Sequence, residues 1–213
     1  MKFRHLLQIV TDEPVFETGL LLAGAVDPAG VRRQLSRWTR SGRLYQLRRG
    51  LYALAPPYQK KRPHPFVVAN RLMRGSYVSL QSALAHYGLI PEYVPVTTNV
   101  TTGRPGRRET ALGDYLYRHV QPALLYGYAR VEVSPGQFAF LASPEKALLD
   151  LVYLEPGADA WPYLQELRLQ NTEQLDLDHL GCLAARSGKP KLRRAAERLS
   201  QSVRERAPEY EEL

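Results

Sequence analysis

Arg32, Arg33, Arg37 and Arg40 recur at helical spacing with Ser36 among them. The chemistry open to such a set is recognition of phosphate and guanine. A guanidinium stays charged and presents a planar fork of donors, so it can grip a phosphate or the O6/N7 edge of guanine with paired hydrogen bonds. Projected at about 100° per residue, Val31, Leu35 and Trp38 fall in a narrow stripe. Arg33, Ser36, Arg37 and Arg40 fall on the opposite face, with Arg32 at its edge. A helix that is apolar inside and guanidinium-rich outside can lie in a major groove. Trp38 shares the apolar stripe and reads as core rather than as a stacking platform. Any solvated surface helix shows a charged face, but this one carries a single sign.

That sign extends well beyond the helix. Between Pro28 and Pro91 there is no aspartate or glutamate, and the same 64 residues hold twelve of the 29 basic side chains. An even spread would place about six acids there. The segment carries +12 and the remainder −4, which gives the net charge of +8. A one-signed field on part of a small protein points to a polyanionic partner. The charge suits RNA as well as DNA, and thirteen tyrosines could stack bases. They are scattered, with no stacking-sheet motif. Double-stranded DNA is therefore the leading reading and an RNA-binding module the alternative.

The elements that must position these residues follow from punctuation and periodicity. Phe3, Leu6, Leu7 and Val10 predict a helix over 2–11, which Pro14 ends. Val15 to Ala23 is a second apolar segment, read as helix, and Gly24-Ala25-Val26 a tight connection. Asp27-Pro28 opens a third helix, because a carboxylate caps free amides and proline suits the first helical position. That helix runs to Ser41 and Gly42 stops it. Leu44–Leu47 and Leu51–Leu54 read as a hairpin around Arg48-Arg49-Gly50. Ala55 to Pro65, with four prolines and three consecutive bases, reads as a stiff, solvated linker. The expected fold class is α+β: a winged helix-turn-helix over 1–55, a linker over 56–65, and a mixed α/β domain over 66–213 that ends in helices.

In that second region the spacing predicts helices at Phe66–Met73 and Ser79–Tyr87, a strand at Val94–Thr101, and a basic loop at Arg104–Arg108. Strands follow at Tyr115–His119, Arg130–Val133 and Gln137–Leu141. Helices follow from Ser143 through Tyr153, then at Trp161–Leu169, Leu177–Ala185 and Pro190–Ala207. Leu192, Ala195, Ala196, Leu199 and Val203 form one stripe on the last helix, read as docking onto its own domain, with a protein partner as the alternative.

Catalytic constellations are weak. Gly75-Ser76 and Asp176-Leu177-Asp178 are fragments of a nucleotidyltransferase signature, but lie a hundred residues apart where the chemistry needs them close. Asp176 and Asp178 read instead as the start of a helix. Pro144-Glu145-Lys146 with Asp150 faintly resembles a nuclease cluster. It also fits a capped helix with an i,i+4 ion pair. The five histidines, His5, His64, His86, His119 and His179, have no metal-ligand spacing. His86, beside Leu84 and Tyr87, reads as packed or hydrogen-bonded rather than as a base. The chain is therefore read as no enzyme, with no catalytic residue, metal or cofactor. A metal-dependent nuclease or nucleotidyltransferase is the more distant alternative.

Composition sets the class. Of 213 residues, 44% are hydrophobic and 23% charged, as in an ordinary globular chain. The single cysteine, Cys182, excludes an intrachain disulfide and a thiolate zinc cluster. Among Leu180, Leu183 and Ala184 it reads as a small buried hydrophobe. The N-terminus is too polar and brief for a signal peptide, and the longest apolar run, Gly19 to Val26, falls short of the ~20 residues of a spanning helix. A cytoplasmic protein without membrane contact is expected.

Three stretches resemble one family. Val31 to Leu54, VRRQLSRWTRSGRLYQLRRGLYAL, is similar to the winged helix-turn-helix that opens AbiEi-family antitoxins. Ser79 to Glu92, SLQSALAHYGLIPE, and Phe140 to Leu154, FLASPEKALLDLVYL, resemble later landmarks of the same family, in the same order. The resemblance implies the antitoxin half of an abortive-infection, type IV toxin–antitoxin operon. The N-terminal domain of such a protein represses its own promoter by binding repeats there. The C-terminal domain is needed to neutralise a nucleotidyltransferase-like toxin, without a stable complex. The DNA-contacting set expected here is Arg32, Arg33, Ser36, Arg37, Arg40, Gln46, Arg48, Arg49, Lys60, Lys61 and Arg62.

Overall fold

The computed structural model describes residues 1–10, 12–23 and 27–206. The connection expected at Gly24-Ala25-Val26, and the last residue of the helix expected to reach Ala207, lie outside them. The chain is mixed α+β. It begins with α1 (Phe3–Val10), a short β1 (Phe16–Glu17) and a 3₁₀ turn (Thr18–Leu22). Next come α2 (Pro28–Arg40), β2 (Leu44–Arg48) and β3 (Leu51–Leu54).

The second apolar segment is not an α-helix, contrary to its periodicity. Phe16 pairs with Tyr52 and Glu17 with Leu51, so β1 joins the hairpin as a third strand in the order β1-β3-β2. The Thr18 amide then donates to the Gly50 carbonyl at 2.9 Å. These partners lie some 30 residues away, beyond the reach of any local pattern. Gly50 takes a φ of +81°, the left-handed conformation this tight turn demands.

The remainder contains α3 (Pro65–Leu72), β4 (Ser76–Val78), α4 (Leu80–His86), β5 (Val96–Thr101), β6 (Gly106–Thr110) and β7 (Gly113–His119). It continues with β8 (Tyr128–Ser134), β9 (Gln137–Ala142), α5 (Pro144–Leu154), α6 (Trp161–Glu166), α7 (Leu177–Arg186) and α8 (Pro190–Arg206). Six strands form one mixed sheet in the order β6-β7-β5-β4-β9-β8. β5 pairs in parallel with β7, and β4 in parallel with β9. The basic loop expected at Arg104–Arg108 is largely strand: Arg107 and Arg108 lie on β6, and Arg107 forms an ion pair with Asp114 on β7.

Two buried clusters form the interior. Leu6, Val10, Leu21, Val31, Leu35 and Trp38 pack with Leu44, Tyr52 and Leu54 around α2. The larger cluster fills the six-stranded sheet and its helices, and takes in Leu47, Leu51 and Ala53 of the hairpin. Because successive strand residues face opposite ways, β3 serves both. Tyr52 and Leu54 face the α2 cluster, whereas Leu51 and Ala53 face the larger one. All four residues of β3 are buried.

The proline-rich run is likewise held in place. Ala55 and Pro63 are buried, the Gln137 side-chain amide donates to the Arg62 carbonyl at 3.0 Å, and the His64 amide donates back to Gln137 Oε1 at 2.8 Å. α8 docks on its own neighbours through Leu192, Ala195, Ala196 and Leu199, all buried. Among the described residues no helix is long and apolar enough to cross a membrane.

Candidate functional site

α2 owes its limits to its own sequence. Asp27 Oδ1 accepts from the Ala29 amide and Oδ2 from the Gly30 amide, both at 2.9 Å. A cap of this kind contributes about 1 kcal/mol. Gly30 permits it, since a Cβ there would lie 2.6 Å from Asp27 Oδ2. At the other end Gly42 adopts a φ of +70° and turns the chain into β2. Val31, Leu35 and Trp38 are buried, and the Trp38 ring meets Phe3 edge-on at 5.2 Å.

The outer face of the same helix is open. Arg32, Arg33, Ser36, Arg37 and Arg40 are all exposed. Arg33 lies 3.4 Å from Asp27, with both side chains largely in solvent. Such a pair contributes little and yields readily to a competing anion. Arg32, Arg37 and Arg40 have no side-chain partner among the described residues. Arg33, Arg37 and Arg40 span two helical turns, roughly 10 Å, which matches about three base-pair steps.

The hairpin divides its two arginines. Arg49 is exposed at the tip, and Gln46 is exposed on β2. Arg48, expected to join them, turns back into the protein. Its guanidinium donates to the Arg71 carbonyl at 3.2 Å and lies 3.5 Å from Glu17, which also takes Arg74 at 2.6 Å. Arg48 therefore fastens the hairpin to the end of α3, with 38% of its side chain still exposed. The physical reason is Glu17: once β1 pairs with β3, its carboxylate sits half-buried beside Arg48 and needs a cation. Sequence reasoning missed this network because its members lie 31 and 57 positions from Glu17. Lys60, Lys61 and Arg62 are exposed, with Lys60 3.9 Å from Asp12.

Other residues singled out in the sequence have structural surroundings. Asp176 Oδ1 accepts from the His179 amide at 2.8 Å and caps α7. Glu145 is buried and accepts from the Asp176 amide at 3.1 Å. Among the described residues no three His, Cys, Asp or Glu side chains converge as metal ligands. His86 is exposed at the end of α4, against the rings of Phe66 and Tyr87. Cys182 is exposed, contrary to expectation: Leu180, Leu183 and Ala184 turn α7 inward, and position 182 falls on the other side.

Lys146 and Asp150 do form their ion pair, but in full burial, at 3% and 2% side-chain exposure. Asp150 Oδ2 also accepts from Tyr77 Oη and Ser79 Oγ, each at 2.8 Å. Lys146 Nζ lies 5.0 Å from the Tyr126 ring centroid. Burial pushes the Asp150 carboxyl above the usual carboxylate range, against the opposing pull of Lys146 and the two hydroxyls. Burial pushes the Tyr77 hydroxyl up as well, with Asp150 adding to it. Ser79 is wholly enclosed. A substrate could not reach any of these groups, so the cluster acts as a polar pin between β4 and α5.

No protein-family model matches the chain, and no curated protein sequence matches it. Among solved structures it is similar to the crystal structure of the RV2827C protein from Mycobacterium tuberculosis, with a TM-score of 0.53. The two share 17% sequence identity over 92% of this chain and 75% of the other. At that identity the likeness is one of fold alone.

Proposed function

We propose that this protein is a sequence-specific double-stranded DNA-binding repressor of its own promoter, and the antitoxin of an AbiE-like operon. In this reading residues 1–55 act as a winged helix-turn-helix and α2 is the reading helix. Arg33, Ser36, Arg37 and Arg40 meet base edges and phosphates in the major groove. Arg32 grips the backbone at the margin, and Arg49 with Gln46 reaches the neighbouring groove. The protein has no catalytic role. The observation that carries the DNA reading is the outward face of α2. Its guanidinium groups share one exposed side, almost without internal partners, on a helix whose other side is fixed in a core. Lys60, Lys61 and Arg62 extend the positive field along the same acid-free segment.

The test is binding to the duplex upstream of the gene and to random duplex of equal length, at about 50 and 200 mM salt. The expected upstream affinity is at least about a thousandfold the random one. Both affinities fall with salt, in proportion to the phosphates contacted. Equal affinity for the two duplexes would end the repressor reading.

The antitoxin part is supported by the three stretches that resemble the AbiEi family. Its partner would be a nucleotidyltransferase-like toxin encoded nearby. Where a nucleotidyltransferase-like gene lies next door, co-expression of this protein is expected to restore the growth that gene alone arrests. A neighbour whose toxicity this protein leaves untouched counts against the antitoxin role, without bearing on DNA binding.

A further inference from the structure

The outward positions of β9 carry aromatic rings where a solvated strand would carry polar groups. Gln137, Ala139 and Leu141 point inward, while Phe138 and Phe140 stand 39% and 45% exposed. On the neighbouring edge strand β8, Tyr128 is 37% exposed, and its ring meets Phe140 edge-on at 6.0 Å. Arg130, directly across from Phe140 in the ladder, lays its guanidinium over the Phe138 ring at 3.8 Å. Phe138 and Phe140 border a cleft of about 530 Å³ that is also lined by Asn70 and Arg71 of α3 and by Arg74 just after it.

The cleft lies outside α2. Arg71, Arg74 and Arg130 line it, with Glu13 the one acid among its lining residues; Arg74 is already paired with Glu17, which leaves Arg71 and Arg130 without a carboxylate partner among the described residues. Flat π-faces beside guanidinium groups suit a ligand with alternating rings and phosphates. The volume admits a base with its phosphate and excludes a double helix. Stacked duplex bases offer no free face to a phenyl ring, whereas unpaired bases do. An apolar protein surface would use the rings but leave the arginines without anions, and an acidic one would supply anions but no flat face for the rings.

We propose that this cleft binds single-stranded nucleic acid. A base stacks on Phe140, Arg130 flanks it, and Arg71, which has no carboxylate partner among the described residues, holds the adjoining phosphate. The site is separate from the duplex-reading face and stands or falls independently of it.

The test uses the full chain carrying Arg33→Ala and Arg37→Ala, so that α2 contributes little, and fluorescent twelve-residue oligo-dT and oligo-rU as probes. Binding of at least one probe is expected, weakened about tenfold by Phe140→Ala and retained by Phe140→Trp. Arg71→Gln is expected to flatten the salt dependence by about 0.7 in log–log slope. Preference for oligo-rU or oligo-dT tells an RNA ligand from a DNA one. The proposal is overturned if neither probe binds, or if Phe140→Ala or Phe140→Leu binds as tightly as the parent.

Discussion

Replacing Arg33 and Arg37 together by alanine is expected to erase the preference for the upstream duplex. Each bidentate arginine–guanine contact discriminates by about 1–3 kcal/mol. Two lost together lower the specificity ratio by roughly thirtyfold to more than a thousandfold. Both side chains are exposed, and the one contact at stake, Arg33 with Asp27, lies in solvent. The melting temperature should therefore stay close to that of the parent. Arg49→Ala is the contrasting variant, expected to weaken upstream and random duplex alike. The measurement is competition binding with the two duplexes. A double variant that keeps its preference would mean that α2 is not the reading element.

Removing one partner of the buried pair in α5 should be the most damaging single change to stability. Asp150→Asn leaves Lys146 charged and enclosed, and Lys146→Met does the same to Asp150. Breaking a buried pair in this way costs about 3–5 kcal/mol. For a chain of this size that lowers the melting temperature by roughly 6–20 °C. Making both changes at once removes both charges, while the amide oxygen introduced by Asp150→Asn would still accept from Tyr77 and Ser79. The double variant should recover most of the loss, since an uncharged replacement of a buried pair is often close to neutral. Thermal and urea unfolding of the three variants measure the coupling. Single variants within about 1 kcal/mol of the parent would show that the pair is no more than a surface bridge in effect.

The structure sets neighbouring arginines apart. Arg48 and Arg49 are adjacent in the sequence and looked equivalent at a hairpin tip. Only Arg49 is without a carboxylate partner among the described residues, because pairing of β1 with β3 brings Glu17 beside Arg48. The proline-rich run reads as a stiff, solvated linker; its bases are exposed, while Gln137 ties its end to the start of β9. Cys182 looks buried by its neighbours' hydrophobicity, yet the turn of α7 carries it outward.

What the sequence determined by itself is local. Asp27-Pro28 and Gly42 set the two ends of α2, and the period of Val31, Leu35 and Trp38 decided which of its sides would be solvent-facing. Gly50 marked the hairpin turn, and the missing acids located the positive field. These follow from backbone sterics, capping and side-chain periodicity, which act within a few residues. Tertiary structure alone decided what covers each surface: β3 buried on both sides, Glu17 between Arg48 and Arg74, and Asp150 enclosed with Tyr77 and Ser79. It also left Phe138 and Phe140 facing outward beside Arg130. The buried outcomes join residues tens of positions apart, and their energies come from burial and desolvation, which exist only once the chain has closed around them.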